Sequence, residues 1–592
     1  MPESAVNPAL PAHWPAMSIQ QAHALLTQPG SPLETETREI GGIPTPVWKN
    51  APPSLRAVVE ASRAHGERIF LVYEDERVSY EAFFRATARL ADAMAAEGVT
   101  KGDRVAVIMR NLPEWVVAFY AAASLGAVVT PLNAWWTGPE LEYGLTDSGT
   151  KLLVVDAERY ERLTEHLPNC PNLVRIYVSR SRGDQEIAHP QVTKLEDVIG
   201  APDTWKDLPN TGLPPAEVGP EDDATIFYTS GTTGRPKGAL ATQRAINTCI
   251  LTGAASAARS FLRRGEAPPQ PDPNGPQRSS LISVPFFHVT GCMAVLNPST
   301  FGGAKLVMMY KWDVIRAFEL IEREKIQSAG GVPTIAWQLI EHPARTNYDL
   351  SSLESVAYGG APSAPELVRR LRETFPNSQP GQGWGMTETC ATVTSNGSED
   401  YVNRPDSCGP PAPIAKLEIR DVEDGTTILA PGVVGELWSF GPMNCKGYWN
   451  KPEATAQTYV DGWVRTGDLA RLDEEGFCFI IDRAKDMLIR GGENIYCVEV
   501  ENVLYDHPAV MDAAVVGKPH RTLGEEPAAV VTLKPGASAT EDELRAHVAE
   551  RLAAFKVPVE IRFWHETLPR NPNGKILKSE LKKLFEAEQA PA

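Results

Sequence analysis

A loop rich in glycine and hydroxyl side chains follows a short apolar run near the middle of the chain. From Tyr228 to Gly238 the sequence reads YTSGTTGRPKG. Glycines let backbone N–H groups approach phosphate oxygens closely, hydroxyls donate further hydrogen bonds, and the Lys237 ammonium adds positive charge. The loop is not a Walker loop, since that motif needs Ser or Thr after the lysine and Gly238 stands there. The pattern therefore predicts a phosphate-binding loop rather than a plain flexible hairpin.

This loop resembles the phosphate-binding signature of the adenylate-forming superfamily, which includes acyl- and aryl-CoA synthetases, nonribosomal peptide adenylation domains and firefly-type luciferases. The resemblance extends over roughly residues 55–580, and further motifs follow in the expected order. They are Tyr358-Gly359-Gly360-Ala361-Pro362, Gly383-Trp384-Gly385-Met386-Thr387-Glu388-Thr389, Gly435-Glu436-Leu437, Gly447-Tyr448, Arg465-Thr466-Gly467-Asp468, Asp482-Arg483-Ala484-Lys485-Asp486, Gly491-Gly492-Glu493-Asn494 and Pro569-Arg570-Asn571-Pro572-Asn573-Gly574-Lys575. Any one of these motifs is weak, but all of them in this order are highly specific.

The resemblance implies a two-step ligase that uses ATP, Mg²⁺ and CoA. A carboxylate attacks the α-phosphate of ATP and gives an acyl-adenylate and pyrophosphate. The CoA thiol then attacks the acyl carbon, and AMP leaves. Such phosphoryl-type chemistry depends chiefly on positioning and on charge neutralisation.

The resemblance also assigns residues to the phosphates and the metal. The β- and γ-phosphates would be held by Thr229, Ser230, Gly231, Thr232, Thr233, Gly234 and Lys237. Thr387 would bind the α-phosphate. Glu388 and Thr229 would hold Mg²⁺, an ion that prefers oxygen ligands.

For the nucleoside, the resemblance implies an adenine-contacting loop and two ribose contacts. The adenine contacts would be Gly360, Ala361, Pro362, Trp384, Gly385 and Met386. Asp468 would accept hydrogen bonds from the ribose hydroxyls, and Arg483 would make a second ribose contact. Trp384 stands where the superfamily often has Tyr, so an indole N–H replaces a hydroxyl there.

The C-terminal motifs are expected to serve the two half-reactions in turn. The Lys575 ammonium would stabilise negative charge that develops between the carboxylate and the α-phosphate during adenylation. Lys485 occupies the position of the hinge about which the C-terminal domain rotates between the two steps. Gly491, Gly492 and Glu493 would then line the pantetheine tunnel, although a plain hairpin turn is the alternative for the two glycines.

The predicted acyl site reads Val284-Pro285-Phe286-Phe287-His288-Val289-Thr290-Gly291. Amino-acid-activating relatives carry an Asp just after the first Phe, whereas Phe287 or His288 stands at that position here. The expected substrate-binding residues are Phe287, His288, Val289, Gly291 and Gly359. His288 resembles an aromatic gate residue, with a hydrogen-bonded core histidine as the alternative. A medium- or long-chain fatty acid is the first expectation, and an aryl-CoA ligase or an adenylating amide ligase remains the alternative.

Apolar strand-like runs alternate with helical stretches through most of the chain, which is typical of an α/β fold with parallel sheets. We expect a large N-terminal domain with two mostly parallel sheets, helices and a small β-barrel-like subdomain, followed by a small mobile α+β domain. The expected bounds are residues 1–50 for an irregular N-terminal arm, 51–482 for the AMP-binding domain and 483–592 for the lid. Residues 259–280 contain five prolines and predict a surface loop. Residues 115–132 carry no charge, but Gly126 and Pro131 favour a buried helix and strand over a membrane span.

Composition excludes several classes of protein. The chain has 592 residues, with 57 Lys+Arg against 75 Asp+Glu and a net charge of −18. Such a chain is not expected to bind nucleic acid through a basic surface. The eight cysteines form no C-x-x-C pair, and Met1 to Pro15 lack the pattern of a secretory signal, so a cytoplasmic enzyme with reduced thiols is expected. Peripheral membrane contact and homodimerisation stay open.

Overall fold

The structure is a computed structural model that describes residues 14–181, 191–229, 235–270, 272, 275–360, 363, 365–483, 486–490, 493–520, 522–570 and 576–586. The strands are β1 Thr35–Ile40, β2 Ile43–Trp48, β3 Ile69–Tyr73, β4 Glu76–Ser79, β5 Arg104–Ile108, β6 Val128–Pro131, β7 Leu152–Asp156, β8 Arg175–Ser179, β9 Val192–Lys194, β10 Asp223–Thr229, β11 Lys237–Thr242, β12 Ser279–Ile282, β13 Lys305–Met308, β14 Ser328–Gly331, β15 Ser355–Gly359, β16 Gln379–Met386, β17 Ala391–Gly397, β18 Lys416–Arg420, β19 Gly435–Phe440, β20 Gly447–Tyr448, β21 Tyr459–Val460, β22 Trp463–Leu472, β23 Cys478–Arg483, β24 Leu488–Arg490, β25 Glu493–Ile495, β26 Val510–His520, β27 Gly524–Leu533 and β28 Glu560–Phe563. The α-helices are α1 Ile19–Leu26, α2 Leu55–Ser62, α3 Tyr80–Ala96, α4 Pro113–Ser124, α5 Gly138–Ser148, α6 Ala157–Leu163, α7 Glu196–Ile199, α8 Gln243–Arg263, α9 Asn297–Gly302, α10 Val314–Glu324, α11 Pro333–Glu341, α12 Pro365–Thr374, α13 Ser398–Asn403, α14 Pro452–Thr458, α15 Cys497–Tyr505, α16 Glu541–Ala549 and α17 Lys578–Glu586.

Two eight-stranded sheets form the body of the large domain. The first sheet has the order β20-β11-β10-β6-β5-β7-β8-β9, and the second has the order β17-β16-β15-β14-β12-β13-β3-β4. Pairing is parallel from β10 through β9 in the first sheet and from β16 through β3 in the second, with antiparallel strands only at the ends. The predicted α/β class with two mostly parallel sheets is confirmed.

Helix α4 lies between these two sheets. Every residue of α4 is buried, and its side chains share one core with Val105 of the first sheet and Phe70 and Leu306 of the second. An apolar helix suits this position because water reaches neither side of it. The prediction that residues 115–132 form a buried helix running into a strand is confirmed. In the described part of the chain, no helix is long and apolar enough to cross a membrane.

Two five-stranded sheets accompany the two large ones. The antiparallel strands β18, β19, β21, β22 and β23 form one of them, after the last strand of the second large sheet. The C-terminal sheet has the order β25-β24-β27-β26 with β28 beside β27, and α15, α16 and α17 accompany it. Thr540 caps α16 with a complete capping box, as its place before three acidic residues predicts. A small α+β domain at the C-terminus is therefore confirmed.

The N-terminal arm is not irregular where the structure describes it. It forms α1, which begins at a capping box on Ser18, and the antiparallel hairpin β1–β2. Leu26, Leu33 and Trp48 pack in one buried cluster with Ala255 of α8. The prediction was wrong because these elements are only six to eight residues long and owe their order to packing on α8 rather than to a long apolar period.

The predicted loop over residues 259–280 begins five residues too early, because α8 continues to Arg263. Arg259 and Arg263 lie one helical turn apart on a buried face. Arg263 Nη2 lies 2.8 Å from Asp400 Oδ1, and Arg263 also donates to the backbone oxygen of Met17. The arginines look solvent-exposed in sequence, but their partners come from distant segments.

Candidate active site

Thr229 and Lys237 stand opposite each other at one end of the first sheet. Thr229 ends β10, Lys237 begins β11, and the two residues are paired in the antiparallel register. The pairing closes the predicted phosphate loop at its base, so one hydroxyl and one ammonium are anchored on sheet backbone. Lys237 Nζ lies 4.9 Å from the centre of the Tyr448 ring.

Glu388 is a buried carboxylate in a single 3₁₀ turn that directly follows β16. Its Oε1 accepts a 2.6 Å hydrogen bond from the Tyr448 hydroxyl. The turn is held by Cys445, whose N–H donates to the Glu388 backbone oxygen and whose Sγ lies 3.4 Å from the Thr387 oxygen. Burial raises the pKa of Glu388, and the Tyr448 hydrogen bond opposes that rise.

The two residues predicted to bind the ribose, Asp468 and Arg483, form an ion pair. Asp468 on β22 pairs with Arg483 on β23, and Arg483 Nε lies 2.8 Å from Asp468 Oδ1. Trp384 Nε1 donates to the other oxygen, Oδ2, at 2.8 Å. The indole N–H therefore does have a partner, and it fixes the orientation of Asp468. Gly385 and Met386 end the same strand as Trp384, and Gly360 follows β15.

The predicted acyl loop is apolar and closely packed. Phe287 and Val289 are buried, and the Phe287 ring contacts Trp135 edge-on with centroids 5.3 Å apart. At Gly291 a Cβ atom would stand 2.3 Å from the Pro285 oxygen, and at Gly359 it would stand 2.8 Å from the oxygen of Gly383. Only glycine fits at either place without a shift of backbone.

The His288 ring is partly buried in this loop. Its Nε2 is buried and has no hydrogen-bond partner among the described residues. Burial lowers the pKa of His288 to about 3. The structure therefore does not support the alternative of a core histidine that is hydrogen-bonded at Nε2.

Some of the predicted site residues lie outside the described residues. They are Ser230, Gly231, Thr232, Thr233, Gly234, Ala361, Pro362, Lys485, Gly491, Gly492 and Lys575. Of the predicted tunnel residues the structure describes only Glu493, an exposed residue that begins β25 opposite Arg490. The roles of Glu493 and of the residues outside the described part of the chain remain predictions.

Two aromatic residues with no predicted role also lie at the site. Tyr448 belongs to one of the superfamily motifs, yet its contacts with Glu388 and Lys237 join segments far apart in sequence. Trp135 contacts Phe287 on one side, and the Arg110 guanidinium lies 4.6 Å from its ring. Nothing in the local sequence around Trp135 indicates this placement.

The chain matches two family models and is similar to known enzymes in sequence and in structure. The model of the family described as AMP-binding enzyme matches residues 58–449, and the model of the AMP-binding enzyme C-terminal domain matches residues 499–575. A long-chain-fatty-acid–CoA ligase of Mycobacterium tuberculosis is 33% identical over 90% of this chain and 96% of its own. A feruloyl-CoA synthase of a Streptomyces species is 33% identical over 86% and 94%. The structure of an amide bond synthetase from Marinactinospora thermotolerans superposes with a TM-score of 0.77 at 27% identity, over 90% of this chain and 99% of that one.

Proposed function

The chain belongs to the AMP-binding enzyme family as an AMP-forming acid–CoA ligase, and we propose that the acid it activates is a medium- or long-chain fatty acid. The observation that carries this proposal is the apolar acyl loop, in which burial disfavours the charged form of His288. Phe287 and Val289 are buried there, and the loop from Val284 to Gly291 contains no carboxylate. A charged end group on the substrate would lose its hydration without gaining a counter-charge from this loop. An uncharged chain avoids that cost and gains from burial of apolar surface.

ATP is the first cosubstrate, and the Lys237 ammonium has the charge that its phosphates require. We propose that Lys237 binds the β- and γ-phosphates, together with the hydroxyls and glycines of the loop that follows Thr229. Thr387 follows β16 directly and is proposed to contact the α-phosphate. These groups neutralise charge on the phosphates and align the acid with its target.

A magnesium ion is proposed at Glu388. Among the described residues, no group of three or more His, Cys, Asp or Glu side chains could hold a metal ion by itself. One buried carboxylate is nevertheless sufficient, since Mg²⁺ in proteins is often held by one or two carboxylates and by substrate phosphates. Glu388 would supply that carboxylate, and the Thr229 hydroxyl would supply a further oxygen ligand. The ion would supply positive charge to the phosphates.

CoA is the second cosubstrate, and the C-terminal domain is proposed to change its orientation before CoA reacts. In this proposal residues 51–482 bind the acid and ATP, and residues 483–592 act as a lid with its hinge at Lys485. Lys575 serves adenylation, and the segment from Gly491 to Glu493 serves the pantetheine chain. All eight cysteines are free and buried, in keeping with the cytoplasmic location that we propose.

An aryl acid is the second candidate substrate. The edge-on contact between Phe287 and Trp135 would suit an aromatic ring, because aromatic rings favour such packing. The resemblance to an amide bond synthetase adds an amine as an alternative acceptor of the acyl group.

The test is release of pyrophosphate and AMP by the full-length chain with ATP and Mg²⁺. A series of saturated fatty acids, a set of benzoic and cinnamic acids and the common amino acids are compared, each with CoA, with an amine or with neither. The expected result is AMP release that is fastest with fatty acids and that requires CoA. Faster turnover of the aromatic acids would replace the fatty acid by an aryl acid, and turnover that needs an amine would identify an amide ligase.

A variant links the result to the acyl loop. Phe287→Asp places a carboxylate in the apolar loop, so kcat/KM for the fatty acid should fall by about tenfold or more while KM for ATP stays within about twofold. The ATP parameter controls for general damage to the domain. Equal losses for both substrates would remove the acyl loop from the proposal.

A further inference from the structure

Tyr448 contacts two charged residues that come from different sheets. Its hydroxyl donates to Glu388 Oε1 at 2.6 Å, and its ring centre lies 4.9 Å from Lys237 Nζ. Glu388 follows a strand of the second sheet, whereas Lys237 begins a strand of the first. We infer that Tyr448 is a positioning residue of the adenylation step, which holds the Glu388 carboxylate and the Lys237 ammonium in a fixed relation to each other. This inference rests on the proposed binding of ATP and Mg²⁺ at these two residues.

The backbone of Tyr448 is itself firmly held. It pairs with Ala239 at the edge of the first sheet, and the next residue, Trp449, donates to the Gly238 oxygen at 2.7 Å. Its own N–H donates to the Thr455 hydroxyl at 2.9 Å. Tyr448 therefore stands two residues from Lys237 along the sheet register and moves with that strand. A side chain fixed in this way can orient its neighbours with little loss of entropy.

Each of the two contacts of Tyr448 stabilises a charged side chain. Glu388 is only 7% exposed, so the phenol O–H replaces hydration that the carboxylate has lost. The face of an aromatic ring attracts an ammonium group. The tyrosine thus contacts both the carboxylate and the ammonium, and each of them keeps further positions for phosphate or metal.

The chain offers a matched control for this test. Tyr459 packs against Tyr448, with ring centroids 5.6 Å apart, and its buried hydroxyl has no hydrogen-bond partner among the described residues. Tyr448→Phe and Tyr459→Phe therefore remove the same atom from neighbouring rings. Only the first substitution removes a contact with the proposed active site.

The experiment measures ATP–pyrophosphate exchange over a range of Mg²⁺ concentration, and thioester formation from preformed acyl-adenylate. For Tyr448→Phe we expect exchange to fall about tenfold or more, since hydrogen bonds to charged groups are among the stronger ones. We also expect a higher Mg²⁺ requirement and near-normal thioester formation. Tyr459→Phe should match the wild type in each measurement.

A double-mutant cycle separates positioning from simple stability. If Tyr448 acts through Glu388, then Tyr448→Phe should have little further effect on exchange in a Glu388→Gln background. Equal effects of the two tyrosine variants, full additivity with Glu388→Gln, or equal losses in both half-reactions would overturn the inference. A wild-type chain with no acid-dependent exchange would instead refute the proposed function.

Discussion

Asp468 shows how one side chain can depend on two others at the proposed nucleotide site. Each of its carboxylate oxygens has its own donor, Trp384 Nε1 on one and Arg483 on the other. A carboxylate has about four acceptor positions, so both oxygens can still accept from ribose hydroxyls. The tryptophan in place of the superfamily's frequent tyrosine thus keeps a polar function.

Removal of that indole N–H gives a prediction at the residue scale. Trp384→Phe keeps an aromatic ring but leaves Asp468 Oδ2 without its donor, so KM for ATP should rise by about tenfold. Steady-state kinetics with varied ATP measures the effect. Trp438 is the control, because its buried Nε1 has no partner among the described residues, so Trp438→Phe should leave KM for ATP unchanged. A similar rise in both variants would contradict the assignment.

The C-terminal end of helix α8 is held by residues that lie far from it in the sequence. Arg263 is 1% exposed, and its ion pair with Asp400, also buried, fixes the end of α8 against α13. The backbone oxygen of Met17 completes the arrangement, so the N-terminal arm is held at the same point. Helix α8 and this arm should therefore lose order together when the pair is broken.

The corresponding prediction concerns stability. Arg263→Met leaves the Asp400 carboxylate buried without its partner, which should lower the free energy of unfolding by about 3 kcal/mol. Urea denaturation followed by circular dichroism measures it. Arg278→Met is the matched control, since Arg278 is 77% exposed and 3.9 Å from Glu354, and it should change stability by less than about 0.5 kcal/mol. The prediction fails if the two variants unfold at the same denaturant concentration.

At the scale of the whole molecule, the two half-reactions make different demands on one chain. Thr229 and Lys237 on the first sheet and Glu388 after a strand of the second belong to the large domain, whereas Lys575 lies far along the sequence, in the proposed lid. The lid is proposed to bring the positive charge of Lys575 to the site formed by the large domain. Such closure can serve one step and be withdrawn for the next.

This division predicts an asymmetric variant. Lys575→Ala should lower the rate of acyl-adenylate formation by about a hundredfold or more, because the charge that develops in that transition state loses its partner. Thioester formation from preformed acyl-adenylate should stay near normal. Rapid-quench measurements of each half-reaction test this, with Lys583→Ala, near the end of α17, as the control for loss of a nearby charge. Equal losses in the two half-reactions would remove Lys575 from adenylation.

The sequence by itself determined the α/β class, the order of motifs, the family and the residue types of the site. It could do so because each motif is local: a strand, a turn and a few side chains at fixed spacing, as from Tyr228 to Gly238. The capping box at Thr540 and the buried apolar helix α4 were predictable for the same reason.

Only the tertiary structure decided which of these residues act on one another. The bond from Tyr448 to Glu388 spans 60 residues, that from Trp384 to Asp468 spans 84, and that from Arg263 to Asp400 spans 137. Local propensity carries no record of such pairs, because they exist only once the sheets have formed and desolvation makes an unpaired polar group costly. The lowered pKa of His288 has the same origin, since burial rather than residue type lowers it.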